Sequence, residues 1–79
     1  MHITFYSKNN CSLCEKGLHV IEKLKEEYFL TVNVVDIYED DELLEKYMLR
    51  IPVVLVEGIE ADEGILSYDK ISQIIKNTN

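Results

Sequence analysis

"NNCSLCEK" (residues 9–16) holds both cysteines of this 79-residue chain, Cys11 and Cys14, and its reading decides the fold. From Cys14 onward, apolar residues recur at Leu18, Ile21, Leu24 and Tyr28, always three or four positions apart. That spacing predicts a helix over about 11–28 with a single buried stripe. Just upstream, "HITFYS" (2–7) is rich in β-formers and reads as a strand buried on both faces. The cysteines therefore fall where a strand ends and a helix begins.

Working outward, "TVNVVDI" (31–37) reads as a second strand. The long helix between the two strands lets them lie parallel, joined by a right-handed crossover. "EDDELLEKYM" (39–48) opens with acids at the favourable end of a helix dipole and predicts a helix burying Leu43, Leu44 and Tyr47. "PVVLVEGIEA" (52–61) reads as a hairpin turning near Glu57-Gly58. Ser67 is the expected N-cap of a last helix that buries Ile71, Ile74 and Ile75. The order βαβαββα implies an α/β fold, a four-stranded mixed sheet flanked by three helices. With no repeat, linker or low-complexity tract, residues 1–79 are expected to form one domain.

Charge narrows the partners. Residues 1–30 carry four lysines and four glutamates, whereas residues 31–79 carry four basic and eleven acidic residues, so the whole formal charge of −7 lies in the second part. Nucleic acid is excluded as an expected partner, because its binding rests on phosphate neutralisation by Lys and Arg. The longest apolar run, Ile51 to Val56, is six residues, against roughly 20 for a membrane span. "MHITFYSK" has no charged region followed by a long apolar stretch, so a cytoplasmic location is expected. A monomer is the expected oligomeric state. In a reducing compartment a CxxC pair is more often catalytic or metal-binding than a structural staple.

Residues three apart on a helix have Cβ atoms about 5–6 Å apart, and a disulfide needs Cα atoms about 4.4–6.8 Å apart, so Cys11 and Cys14 can bridge and reopen with little backbone movement. Cys11, at the helix start, meets unpaired backbone N–H groups that favour a thiolate, and Lys8 on the same loop adds to that effect. Cys14, on the apolar stripe, is the less exposed thiol. Cys11 is thus the expected nucleophile and Cys14 the resolving cysteine. "SLCE" (12–15) matches a capping box with Ser12 as N-cap, although Asn10 or Cys11 can cap equally, and Glu15 opposes a nearby thiolate. A structural zinc site lacks its remaining ligands, since only His2 and His19 are available, so no metal site is assigned. A metal or cluster shared between subunits through Cys11, and a pair of inert core cysteines, are the competing readings.

Pro52, the only proline, opens a strand, where proline is tolerated. An N-terminal strand, K-x-x-C-x-x-C at a helix start, Val35-Asp36 closing the second strand and "IPV" (51–53) opening the third together resemble the glutaredoxin family of the thioredoxin fold. The resemblance runs from residue 2 to about 77 and is greatest to short bacterial glutaredoxin-like proteins, whose middle section looks like "VDIYEDDELLEKYMLRIPVV" (35–54). It implies a thiol–disulfide oxidoreductase with Cys11 and Cys14 as the catalytic pair. It also implies a cis Ile51–Pro52 bond beside the dithiol, with Ile51 and Pro52 forming a platform for the substrate's cysteine segment. Lys8 and Arg50 are the cations expected near that platform.

Two departures bear on the reductant. Ser12-Leu13 replaces the Pro-Tyr common between the cysteines of dithiol glutaredoxins. The glycine-rich segment that holds glutathione after the last strand is replaced by "EADEGILSYD" (60–69), with Glu60, Asp62 and Glu63 ahead of one glycine, Gly64. Those acids are expected to repel an anionic thiol. No bound cofactor is expected. The electron donor is glutathione or a thioredoxin reductase, and the substrate is a disulfide-containing protein or a glutathione mixed disulfide.

Overall fold

The computed structural model describes residues 1–78. Its strands are β1 (His2–Ser7), β2 (Thr31–Asp36), β3 (Val53–Val56) and β4 (Ile59–Glu63), and its helices are α1 (Ser12–Glu27), α2 (Asp41–Tyr47) and α3 (Tyr68–Thr78). The element order is the βαβαββα read from the sequence, and the sheet runs β2-β1-β3-β4. β1 and β2 pair in parallel, with His2 opposite Thr31 and Ser7 opposite Asp36. β3 is antiparallel to both of its neighbours.

The four residues of β3, "VVLV", are apolar without interruption because this central strand is covered on both faces. Val54 and Val56 join Ile3, Phe5, Ile21, Leu24, Ile71 and Ile75 in a core between the sheet, α1 and α3. Val53 and Leu55 point the other way, into a smaller core with Ile37 and Tyr47, against which Tyr6, Leu43, Leu44 and Ile51 pack. Burying each large apolar side chain contributes about 1.5–3 kcal/mol, so most of the stability resides in the first cluster.

Local chemistry moved several boundaries. β1 is fully buried on one face only, through Ile3 and Phe5, because its other face meets the smaller α2 layer. The second strand stops at Asp36, whose carboxylate accepts from the Tyr38 N–H and turns Ile37–Glu39 into a 3-10 helix. Asp40 then caps α2 by accepting from the N–H groups of Glu42 and Leu43, which shortens the helix expected over 39–48. Within α2 only Tyr47 is fully buried, with Leu43 and Leu44 partly covered. In α3, Ile74 is likewise only partly covered and Ser72 takes the third buried place, its hydroxyl 2.6 Å from the Tyr28 phenol oxygen. The hairpin turns on Glu57 (φ 50°) and Gly58 (φ 79°), the two positive φ values a tight two-residue β-turn requires.

Candidate active site

The site is built on the loop from β1 into α1. Asn10 takes a positive φ of 55°, which asparagine tolerates better than most residues. The chain then enters α1 through Cys11, whose extended backbone and side chain make it the N-cap. The Cys14 N–H donates to Cys11 Sγ at 3.2 Å, and the Glu15 N–H donates to the Cys11 carbonyl at 3.0 Å. Of the three candidate caps, the structure selects the cysteine, with Ser12 as the first helical residue. A helix-terminal backbone donor is therefore aimed at the sulfur where a negative charge forms when the pair is reduced.

Cys11 and Cys14 are joined as a disulfide, with Cα atoms 5.2 Å apart. Cys11 is half-buried, whereas Cys14 is 4% exposed. A groove of about 200 Å³ opens at the pair, floored by Phe5, Leu18 and Val34 and edged by Lys8 and Glu15. Lys8 and both cysteines line this one groove.

Ile51–Pro52 is cis, as the resemblance implied. Pro52 packs against α1 at Gly17, one turn beyond Cys14. A Cβ there would lie 3.1 Å from Pro52 Cγ and 3.0 Å from Leu66 Cδ1. Gly17 went unremarked in the sequence, although a glycine three residues after Cys14 on the buried stripe is the signal that marks it. The Gly64 N–H donates to the Pro52 carbonyl at 2.9 Å and ties the end of β4 to the same residue.

The charged side chains around β4 are arranged differently from the sequence expectation. Arg50 donates to Glu63 at 2.8 Å and also to Glu60, while its guanidinium lies 5.1 Å from the centroid of the Tyr47 ring. The Arg50 hydrogen bond holds the Glu60 carboxyl below its ordinary range, and Glu63 and then Glu60 raise Arg50 in turn. Arg50 is therefore committed to two carboxylates rather than presented as a free cation. Asp62 accepts from the Ser67 N–H at 2.8 Å and the Glu63 N–H at 2.9 Å and pairs with Lys70 at 3.4 Å. All three acids of 60–63 have partners, so they do not form the bare anionic patch expected. Among the described residues, no group of three or more His, Cys, Asp or Glu is placed to hold a metal ion.

The sequence matches the family model described as "Glutaredoxin-like domain (DUF836)" over residues 2–76. The chain belongs to that family. The glutaredoxin-like domain is similar to a solved structural-genomics target from X. campestris, with a TM-score of 0.80 and 21% identity over 95% of this chain and 96% of that one. It is similar also to a solution structure from Nitrosomonas europaea, with a TM-score of 0.81 and 24% identity over 92% and 88% of the two chains. Thioredoxin 1 from Thermosipho africanus aligns over 100% and 99% of the chains, with a TM-score of 0.65 and 19% identity. These likenesses establish a thioredoxin-like fold. No curated protein matches the chain significantly in sequence. Fold, family and the Cys11–Cys14 pair together support a redox function for the glutaredoxin-like domain. Among the described residues no helix is long and apolar enough to cross a membrane.

Proposed function

We propose that this domain is a thiol–disulfide oxidoreductase that reduces disulfides through Cys11 and Cys14. The observation that carries the reading is the asymmetry of the pair. The sulfur of the partly exposed Cys11 receives a helix N-terminal N–H, and the buried Cys14 lies within bonding distance of it.

In the forward direction the Cys11 thiolate attacks one sulfur of a substrate disulfide. A Cys11–substrate bond forms, the substrate's S–S bond breaks, and the departing thiolate takes a proton from solvent. Cys14 then loses its proton and attacks Cys11 Sγ, which releases the second substrate thiol and leaves the Cys11–Cys14 disulfide. Two electrons pass to the substrate, and an external thiol or reductase returns them. Lys8 at the groove supports the anionic sulfur, and Ile51 and Pro52 offer the backbone platform beside it.

We read glutathione as a weak donor. The reason is hydrogen bonding rather than the charge repulsion suggested by composition. The Gly64 N–H is occupied by the Pro52 carbonyl and the Ser67 N–H by Asp62, so two backbone donors after β4 are already used. An anion arriving there would displace an existing bond without gaining a net one. A thioredoxin-reductase-type donor is the alternative, with disulfide-bearing proteins as substrates and no bound cofactor.

The test is trapping. Cys14→Ser should accumulate a mixed disulfide through Cys11 with an oxidised protein, and Cys11→Ser should accumulate none. A coupled assay then compares glutathione plus glutathione reductase with thioredoxin reductase. Trapping by neither variant, or equally by both, would reject the reading.

A further inference from the structure

The groove at the cysteines continues along β2. Val34, 56% exposed, lines the groove at Cys11 and also a second cavity of about 180 Å³ between α1 and β2, with Leu18, Ile21, Glu22, Lys25 and Val32. A cavity of about 390 Å³ extends the opposite end past Lys8, Asn9 and Asn10 to Asp36 and Tyr38. β2 is the outermost strand on this side, so its far edge has no neighbour in the sheet.

Backbone geometry shows which groups that edge presents. The Thr31 N–H donates to the Met1 carbonyl, and Thr31 registers opposite His2. In a parallel ladder the residue bonded inward alternates with one bonded outward. Thr31, Asn33 and Val35 therefore face β1, while Val32 and Val34 turn N–H and C=O groups away from the sheet. Open edges are usually guarded by charge or proline. β4, the other edge, carries Glu60, Asp62 and Glu63, whereas "TVNVV" (31–35) carries neither charge nor proline.

We propose that the β2 edge is a docking strand for an extended segment of the disulfide substrate. This inference rests on the oxidoreductase reading. The segment's half-cystine reaches Cys11, and the chain leaving it runs antiparallel along β2. Cys11 fixes that direction, because it shares a groove with Ser7 and Val34, and Ser7 registers opposite Asp36 at the C-terminal end of β2. Main-chain hydrogen bonds to Val32 and Val34 supply affinity, and alternate β-branched side chains settle against Leu18, Ile21, Val32 and Val34. The substrate class is thus a protein or peptide whose cysteine is followed by a short β-forming stretch without acidic residues.

The experiment uses the reduced full chain in single turnover with three disulfides: the dimer of Cys-Thr-Val-Thr-Val, the dimer of Cys-Gly-Ser-Gly-Ser, and bis(2-hydroxyethyl) disulfide. Wild type should reduce the β-forming peptide about fivefold faster than the Gly/Ser peptide, roughly the effect of one net main-chain hydrogen bond. Val32→Pro removes one outward N–H and no bond to β1. It should bring the two peptide rates together and leave the hydroxyethyl rate unchanged, while Val32→Thr keeps the preference. No preference in wild type, or a preference that survives Val32→Pro, would overturn the docking edge. So would an equal fall of all three rates, or a change from dimer to monomer on sedimentation of Val32→Pro, which would make the edge a self-association surface. A wild-type protein inert toward all three disulfides would instead reject the oxidoreductase reading beneath it.

Discussion

Gly17→Ala sets two opposing effects against each other at the closest approach of α1 to the loops behind the dithiol. Replacing a glycine inside a helix by alanine normally adds about 0.8–1.0 kcal/mol of stability. Here the new methyl would lie 3.0 Å from Leu66 Cδ1, 3.1 Å from Pro52 Cγ and 3.4 Å from Leu66 Cγ, so both neighbours must retreat by a few tenths of an ångström. Pro52 is fully buried and its ring is rigid, and its carbonyl is held by Gly64. Overpacking of this kind costs about 1–3 kcal/mol. The net expectation is a loss of about 1 kcal/mol, read as a fall in Tm of about 4–8 °C for a domain of this size. Thermal unfolding followed by far-UV circular dichroism, on oxidised and reduced protein, measures it. Leu66→Ala in the Gly17→Ala background opens the space, so a double-mutant cycle should return a favourable coupling of about 0.5–3 kcal/mol. If Gly17→Ala is instead more stable than wild type, the contact with Pro52 and Leu66 is not the constraint described.

Four further outcomes are expected. Near neutral pH, iodoacetamide should modify Cys11 of the reduced protein faster than Cys14, as read by peptide mass spectrometry; equal rates would remove the division of roles. Asp62→Asn should lower stability by roughly 1 kcal/mol, through the weakened tie to the start of α3, without speeding turnover with glutathione. A clear rise in that turnover would restore the repulsion argument. The Tyr68 hydroxyl donates to Glu27, which pushes its pKa up to about 12. Because the folded value is raised above the ordinary value of about 10, this contact should stabilise fully below about pH 10 and fade as pH climbs toward 12. Phenolate absorbance of wild type minus Tyr68→Phe reports it, and ionisation near 10 would contradict the bond. Arg50→Met should let the Glu60 carboxyl rise toward its ordinary range by NMR titration, with little change in stability because the pair is exposed. In wild type that pair contributes above the usual carboxyl range and is lost as pH falls below it; an unchanged Glu60 titration would show that Arg50 is not its partner.

Periodicity and turn chemistry made the scaffold legible. The apolar spacing from Cys14 to Tyr28 gave α1, Glu57-Gly58 gave the hairpin, and the uninterrupted "VVLV" marked a strand covered on both faces. What stayed hidden was decided by partners distant in the chain. Asp62 looked like a repulsive charge until the fold brought Ser67 and Lys70 to it, and Arg50 looked free until β4 supplied Glu60 and Glu63. The cap was open among Asn10, Cys11 and Ser12 for another reason: all three can accept from the first helical N–H groups, and only the backbone entering α1 puts Cys11 in that role. Gly17 shows in the sequence only as a glycine on the buried stripe, and the reason for it is Pro52 and Leu66, which lie far away in the chain.

The two ends of α1 are held to different degrees. Its last turn is fastened to α3 twice, by Tyr28 to Ser72 and by Glu27 to Tyr68, whereas its first residues are bound to the loop they open from. A helix moored at the stern can respond to an event at the bow only by local loosening there. Opening the disulfide should therefore change amide hydrogen-exchange rates over residues 8–15 and leave those of Ile21 to Glu27 as they were. The electrons would then enter and leave a molecule that hardly has to rearrange around them.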